Sequence, residues 1–90
     1  MSDQPKPVEI RPWRESPFIP GQRYRVRRSF YAFFGKFDEG EVVIYRQDAW
    51  SRYDGITGYF FDDSAGTPRR WDIRDEEDIG VWRELFETFE

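Results

Sequence analysis

No cysteine occurs among these 90 residues, and for so short a chain nothing else narrows the possible folds as much. No disulfide can tie the chain together, and neither a Cys₂His₂ nor a Cys₄ zinc site can form. A single domain of this length buries only about 60–65% of its unfolded surface, so its stability margin is thin. Side-chain packing must hold it, and the material is aromatic: nine Phe, five Tyr and four Trp. Each such ring buries about 150–250 Å² when inside, so a few can build a compact core. Charged residues make up 36% of the chain and apolar ones 38%, a soluble globular profile.

No apolar run approaches the roughly 18 residues of a spanning helix. The start, "MSDQPKPVEI", lacks a basic stretch followed by an apolar one, so no signal peptide is expected and the cytoplasm is the expected compartment. The net charge of −4 hides an asymmetry. Residues 1–36 carry eight basic and three acidic side chains, and residues 37–90 carry six and fifteen. Twelve of the fourteen cations are Arg, which suits bidentate pairing with carboxylates across the two halves.

Five of the six prolines fall in the first 20 residues. Proline lacks an amide donor and fixes φ, so neither helix nor central strand fits there. Residues 1–16 read as a flexible Pro-rich tail and 17–90 as the domain. The stretch "WRESPFIP" (13–20) is expected to lie extended on the domain, anchored by Trp13, Phe18 or Ile19.

In "GQRYRVRRSF", Tyr24 and Val26 alternate with Arg23, Arg25 and Arg27, the period of a strand with one apolar and one basic face. Arg28 breaks the alternation, and a bulge near Arg27–Arg28 would return Phe30 to the inner side. The aromatic stretch "FYAFFGKF" (30–37) reads as a loop. "GEVVIYRQ" (40–47) is a β-prone run with four apolar residues in a row, which predicts a strand covered on both faces. Residues 48–55 read as a connection with a turn at Asp54–Gly55. "ITGYFFD" (56–62) is a third strand, with Gly58 marking a bulge or close approach. Residues 62–68 form a hairpin turn, and "RRWDIR" (69–74) is a fourth strand with Trp71 and Ile73 facing in. The spacing of Ile79, Trp82, Phe86 and Phe89, with Leu85 beside them, predicts a helix within 75–90, regular from about Val81 and capped by Asp75. The expected fold is mainly β with one C-terminal helix, a small SH3-like antiparallel barrel.

"PGQRYRV", a later "GE" leading a β run, "YDG" before an aromatic strand and an acid-rich helix start after "RRWDIR" follow one another in a set order. In order and spacing they resemble a bacterial family of small SH3-like domains of unknown function. The likeness covers residues 17–90 and implies a compact barrel with a C-terminal helix; it implies no activity.

With no histidine, Ser–His and Cys–His pairs and an imidazole base are all absent. The neighbouring carboxylates, Asp62 with Asp63 and Asp75 to Asp78, sit where turns and helix starts place acids on the surface. No enzyme activity, metal or cofactor is expected. The surplus rings suggest a surface for another protein, a groove for an extended proline-rich peptide built from Tyr31, Phe33, Phe34, Trp50 and Tyr53, with Asp38 and Glu39 meeting an Arg of the ligand. Self-packing of the same rings is the competing reading, since Phe30 and Phe37 flank them as core residues. A stripe of Arg23, Arg25 and Arg27 raises the alternative of single-stranded nucleic-acid binding, opposed by local ion pairing and by the acidic remainder of the chain. A monomer or a weak homodimer is expected.

Overall fold

The computed structural model describes residues 16–89. The chain forms β1 (Arg23–Val26), β2 (Phe30–Ala32), β3 (Gly35–Phe37), β4 (Val42–Ser51), β5 (Ile56–Asp63) and β6 (Pro68–Arg74). A 3₁₀ turn at Ile79–Val81, one α-helical turn α1 (Trp82–Leu85) and β7 (Phe86–Thr88) follow. Five strands make one antiparallel sheet in the order β6-β5-β4-β1-β7, and β2 and β3 form a separate hairpin. The molecule is mainly β with one short C-terminal helix. Its outermost strands, β6 and β7, are not paired to each other, so the ladder does not close into a barrel.

The entering segment supplies the centre of the core. Phe18 is 3% exposed, with the rings of Tyr24, Tyr45, Tyr59, Phe61, Trp82 and Phe86 at centroid distances of 5.1–5.5 Å. Of the expected anchors, Phe18 takes the role and Ile19 stays exposed; Trp13 and the other residues before Ser16 lie outside the described residues. Polar atoms fix this entry. The Tyr24 hydroxyl accepts from the Ile19 amide at 2.9 Å, and the Ser16 hydroxyl donates to Tyr45 Oη at 3.2 Å.

β1 keeps the expected alternation, with Tyr24 and Val26 buried, and in β4 Val43 and Tyr45 are buried. Val42 and Ile44 are half-buried, so the second face of β4 is only partly covered. The predicted bulge near Arg27–Arg28 is not there. β1 ends at Val26, and Phe30 belongs to the hairpin, where it stacks on Phe37 at 5.0 Å. The register shift lies instead in β4, between Tyr45 and Gln47. An extra residue there restores the inward phase, so β4 runs on to Ser51 through residues expected as connection. Only the turn at 52–55 remains, with Gly55 at φ 64°.

Of the two expected readings for Gly58, a bulge or a close approach, it marks the close approach. A Cβ there would stand 2.9 Å from Arg70 Nε and 3.0 Å from Asp72 Oδ1. Trp71 and Ile73 face in.

The C-terminal helix is shorter than its stripe predicts. Asp78, rather than Asp75, caps the 3₁₀ turn by accepting from Gly80 N, and the helix ends at Leu85. Phe86 is fully extended, at φ −131° and ψ 153°, and β7 pairs with β1 along Tyr24–Thr88, Arg25–Glu87 and Val26–Phe86. An open β1 edge offers ladder hydrogen bonds and buries Phe86, whereas an isolated two-turn helix is marginal. Leu85 and Phe86 are both buried because the period changes between them.

Candidate partner-binding surface

The aromatic stretch 30–37 is a hairpin rather than a loop. Phe30 pairs with Phe37, Tyr31 with Lys36 and Ala32 with Gly35, leaving Phe33 and Phe34 as the turn. Gly35, at φ 144°, meets a backbone demand few other residues satisfy. Period 2 then sorts the rings. Phe30 and Phe37 root the hairpin against Phe86, at 5.6 and 5.7 Å. Tyr31 points away and is 82% exposed; Phe33 is 74% and Phe34 62% exposed. The two Phe rings meet edge to face at 5.1 Å.

Cations brace the outward rings. Lys36 Nζ lies 5.5 Å from the Tyr31 centroid. The Arg70 guanidinium lies 4.5 Å from Phe34 and 5.3 Å from Phe60, and its Nε donates to Asp72 Oδ1 at 2.5 Å. The hairpin base is held by Arg69, which pairs with Glu41, donates to the Lys36 carbonyl and lies 4.5 Å from the Phe37 ring. Two open clefts flank the tip. The smaller, about 170 Å³, lies among Phe33, Ile56, Asp72, Arg74 and Glu77. The larger, about 270 Å³, includes Tyr31, Trp71, Asp72, Glu77 and Val81.

The other expected site residues are dispersed. Trp50 is half-buried on β4, its Nε1 donating to Asp75 Oδ2 at 3.4 Å. Tyr53, on the following turn, is 98% exposed. Asp38 and Glu39 are exposed but stand past Phe37, at the base of the hairpin and away from its tip. Asp38 faces Lys36 at 3.5 Å, and Glu39 borders a groove with Arg25, Arg27 and Glu87. The hairpin therefore gathers Tyr31, Phe33 and Phe34 and leaves the expected acids at its far end. Asp72, Glu77 and Ile56, which line the clefts, carry no local signal. In "RRWDIR" Asp72 reads only as an outward residue between two core ones.

The Arg stripe is engaged within the fold. Arg25 Nη2 lies 2.6 Å from Glu87 Oε2, Arg23 and Arg25 sit 5.3 and 5.4 Å from the Phe89 ring, and Arg27 donates to the Arg83 carbonyl at 3.0 Å. Asp62 faces Arg46 at 3.4 Å, and Asp63 Oδ1 accepts from the amides of Ala65 and Thr67, as a turn-forming acid does. Among the described residues no group of three or more His, Cys, Asp or Glu is placed to hold a metal, and no helix is long and apolar enough to cross a membrane. The Tyr45 phenol is pushed well above its ordinary 10.0 by burial, with the hydrogen bond it donates to Asp48 Oδ1 at 2.5 Å adding to the effect.

The fold is similar over most of the chain to a solved structure. It is an integron cassette protein from the mobile metagenome of Vibrio cholerae, with a TM-score of 0.68 and 22% identity, covering 81% of this chain and 87% of that one. At that identity the likeness speaks for the fold. No family model and no curated protein matches the sequence.

Proposed function

We propose that this chain is an SH3-like, non-enzymatic binding module of the cytoplasm, and that another protein docks on the rings of its β2–β3 hairpin. The SH3-like reading draws on the strand path: an antiparallel meander β4-β5-β6, a 3₁₀ turn, and a last strand returning beside β1. The observation that carries the function is the sorting of one hairpin's rings. Phe30 and Phe37 satisfy the core, while Tyr31, Phe33 and Phe34 stay in water on the same short element. Burying a Phe side chain is worth about 1.5–3 kcal/mol, and here that gain is left for a partner to realise. The Arg stripe supports nucleic-acid binding less well, because its guanidinium groups already have partners in the fold.

The double variant Phe33→Ser/Phe34→Ser tests the reading. It is expected to keep the melting temperature within about 2–3 °C, as exposed substitutions do. It is also expected to lose a partner captured by the unmodified protein, with the loss confirmed on purified components. A melting temperature that falls by 10 °C or so would assign the two rings to the core, and an unchanged partner would move the interface elsewhere.

A further inference from the structure

Asp72 gives the tip a chemical preference. Its side chain is 9% exposed. Oδ1 receives Arg70 Nε, whereas Oδ2 is buried and accepts no hydrogen bond. A buried anionic oxygen without a donor is costly, and a donor that reaches it recovers that cost. Asp72 borders both clefts, Phe33 and Tyr31 wall one each, and Glu77 lines both. The cations nearby are already engaged: Arg70 with Asp72 and the faces of Phe34 and Phe60, and Arg28 with Glu84 at 3.7 Å. Arg74 lines the smaller cleft, where its amide donates to Glu77 Oε1 at 2.8 Å.

The exposed area limits the size of the occupant. At about 150–250 Å² a ring, three mostly exposed rings offer on the order of 400 Å², half the roughly 800 Å² per side of a stable protein–protein interface. A short extended segment fits that area better than a folded face or a second copy. We infer that the hairpin tip receives a short peptide segment of its partner that lays an arginine guanidinium between the rings and Asp72. This rests on the tip being the docking surface proposed above. The fold already makes such a contact internally, with Arg70 over Phe34 and Phe60 and in a hydrogen bond to Asp72. Phe33 lines the smaller cleft together with Asp72, and its ring is 74% exposed.

The test titrates the ¹⁵N-labelled full chain with the capped peptide acetyl-Leu-Ala-Arg-Ala-amide and with its twin carrying citrulline, a neutral isostere, in place of arginine. The arginine peptide is expected to shift the amides of Phe33, Ile56 and Asp72 and to bind about five- to tenfold tighter than its twin. In Asp72→Asn that gap should close. Equal affinities with shifts at the tip would overturn the guanidinium preference and leave the docking surface standing. Shifts confined to other parts of the molecule, or none with either peptide, would overturn the inference, while the surface itself is judged by the Phe33→Ser/Phe34→Ser variant. Should Asp72→Asn fail to fold, the two peptides on the unmodified chain decide alone.

Discussion

Phe18 and Phe34 are the same residue type with opposite duties. Phe18 lies among the largest rings of the core, so Phe18→Ala should cost about 3–5 kcal/mol, read from urea unfolding. That is comparable to the whole stability of a domain this small. Phe34 is 62% exposed, braced by Phe33 and the Arg70 guanidinium, and its replacement should change stability by no more than about 0.5 kcal/mol. Tyr45 makes the pH prediction. Its folded ionisation lies above its unfolded one, so the folded state holds the phenolic proton more tightly. The stability this contributes is fully present below pH 10 and is lost as pH rises beyond it. Melts between pH 9 and pH 11 should show that decline, and Tyr45→Phe should flatten it while costing about 1 kcal/mol at neutral pH through loss of the Asp48 bond.

Two elements depart from their local patterns, and both departures trace to distant partners. The stripe at residues 79–89 has helical spacing, yet the chain turns extended at Phe86 because β1 offers an unpaired edge and the core has room for that ring. Hydrogen exchange should find the amides of β1 and β7 protected together. Phe86→Ala should expose both and lower stability by about 3–5 kcal/mol. β4 outruns its expected end because one bulge resets its phase, bringing Asp48 opposite Tyr59 and Trp50 opposite Thr57. Gly58 tests the β5–β6 pair. Gly58→Ala forces a methyl against an Arg70 held by Asp72 and two rings, and should destabilise by about 1–3 kcal/mol despite the better propensity of Ala.

For the molecule as a whole, the open ladder leaves two outer strands to protect. At β6 the hairpin tip does part of this, with Phe34 against Arg70 and Phe33 beside Asp72 and Arg74. β7 is only three residues long, which limits its use as a template for another chain. The same hairpin thus covers part of the sheet margin and leaves Tyr31, Phe33 and Phe34 exposed. The expected apolar excess was readable from the count of rings and the shortness of the chain. Its location on Tyr31, Phe33 and Phe34 was readable from the stretch "FYAFFGKF". That Asp38 and Glu39 stand at the base of the hairpin, and that Asp72 stands beside its tip, was not, because neither fact is encoded among near neighbours in the chain.

The alternation in β1, the turn at Asp54–Gly55, the inward Trp71 and Ile73 and the exclusion of cysteine, imidazole and disulfide chemistry follow from the sequence alone, since each depends on composition or on a few adjacent side chains. The fate of the last ten residues, the bulge in β4, the unclosed sheet and the pairing of Asp72 with the hairpin tip depend on which edges and cavities remain after the other strands have packed. Burial and ladder hydrogen bonding are settled between residues tens of positions apart, and there they overrule the local period.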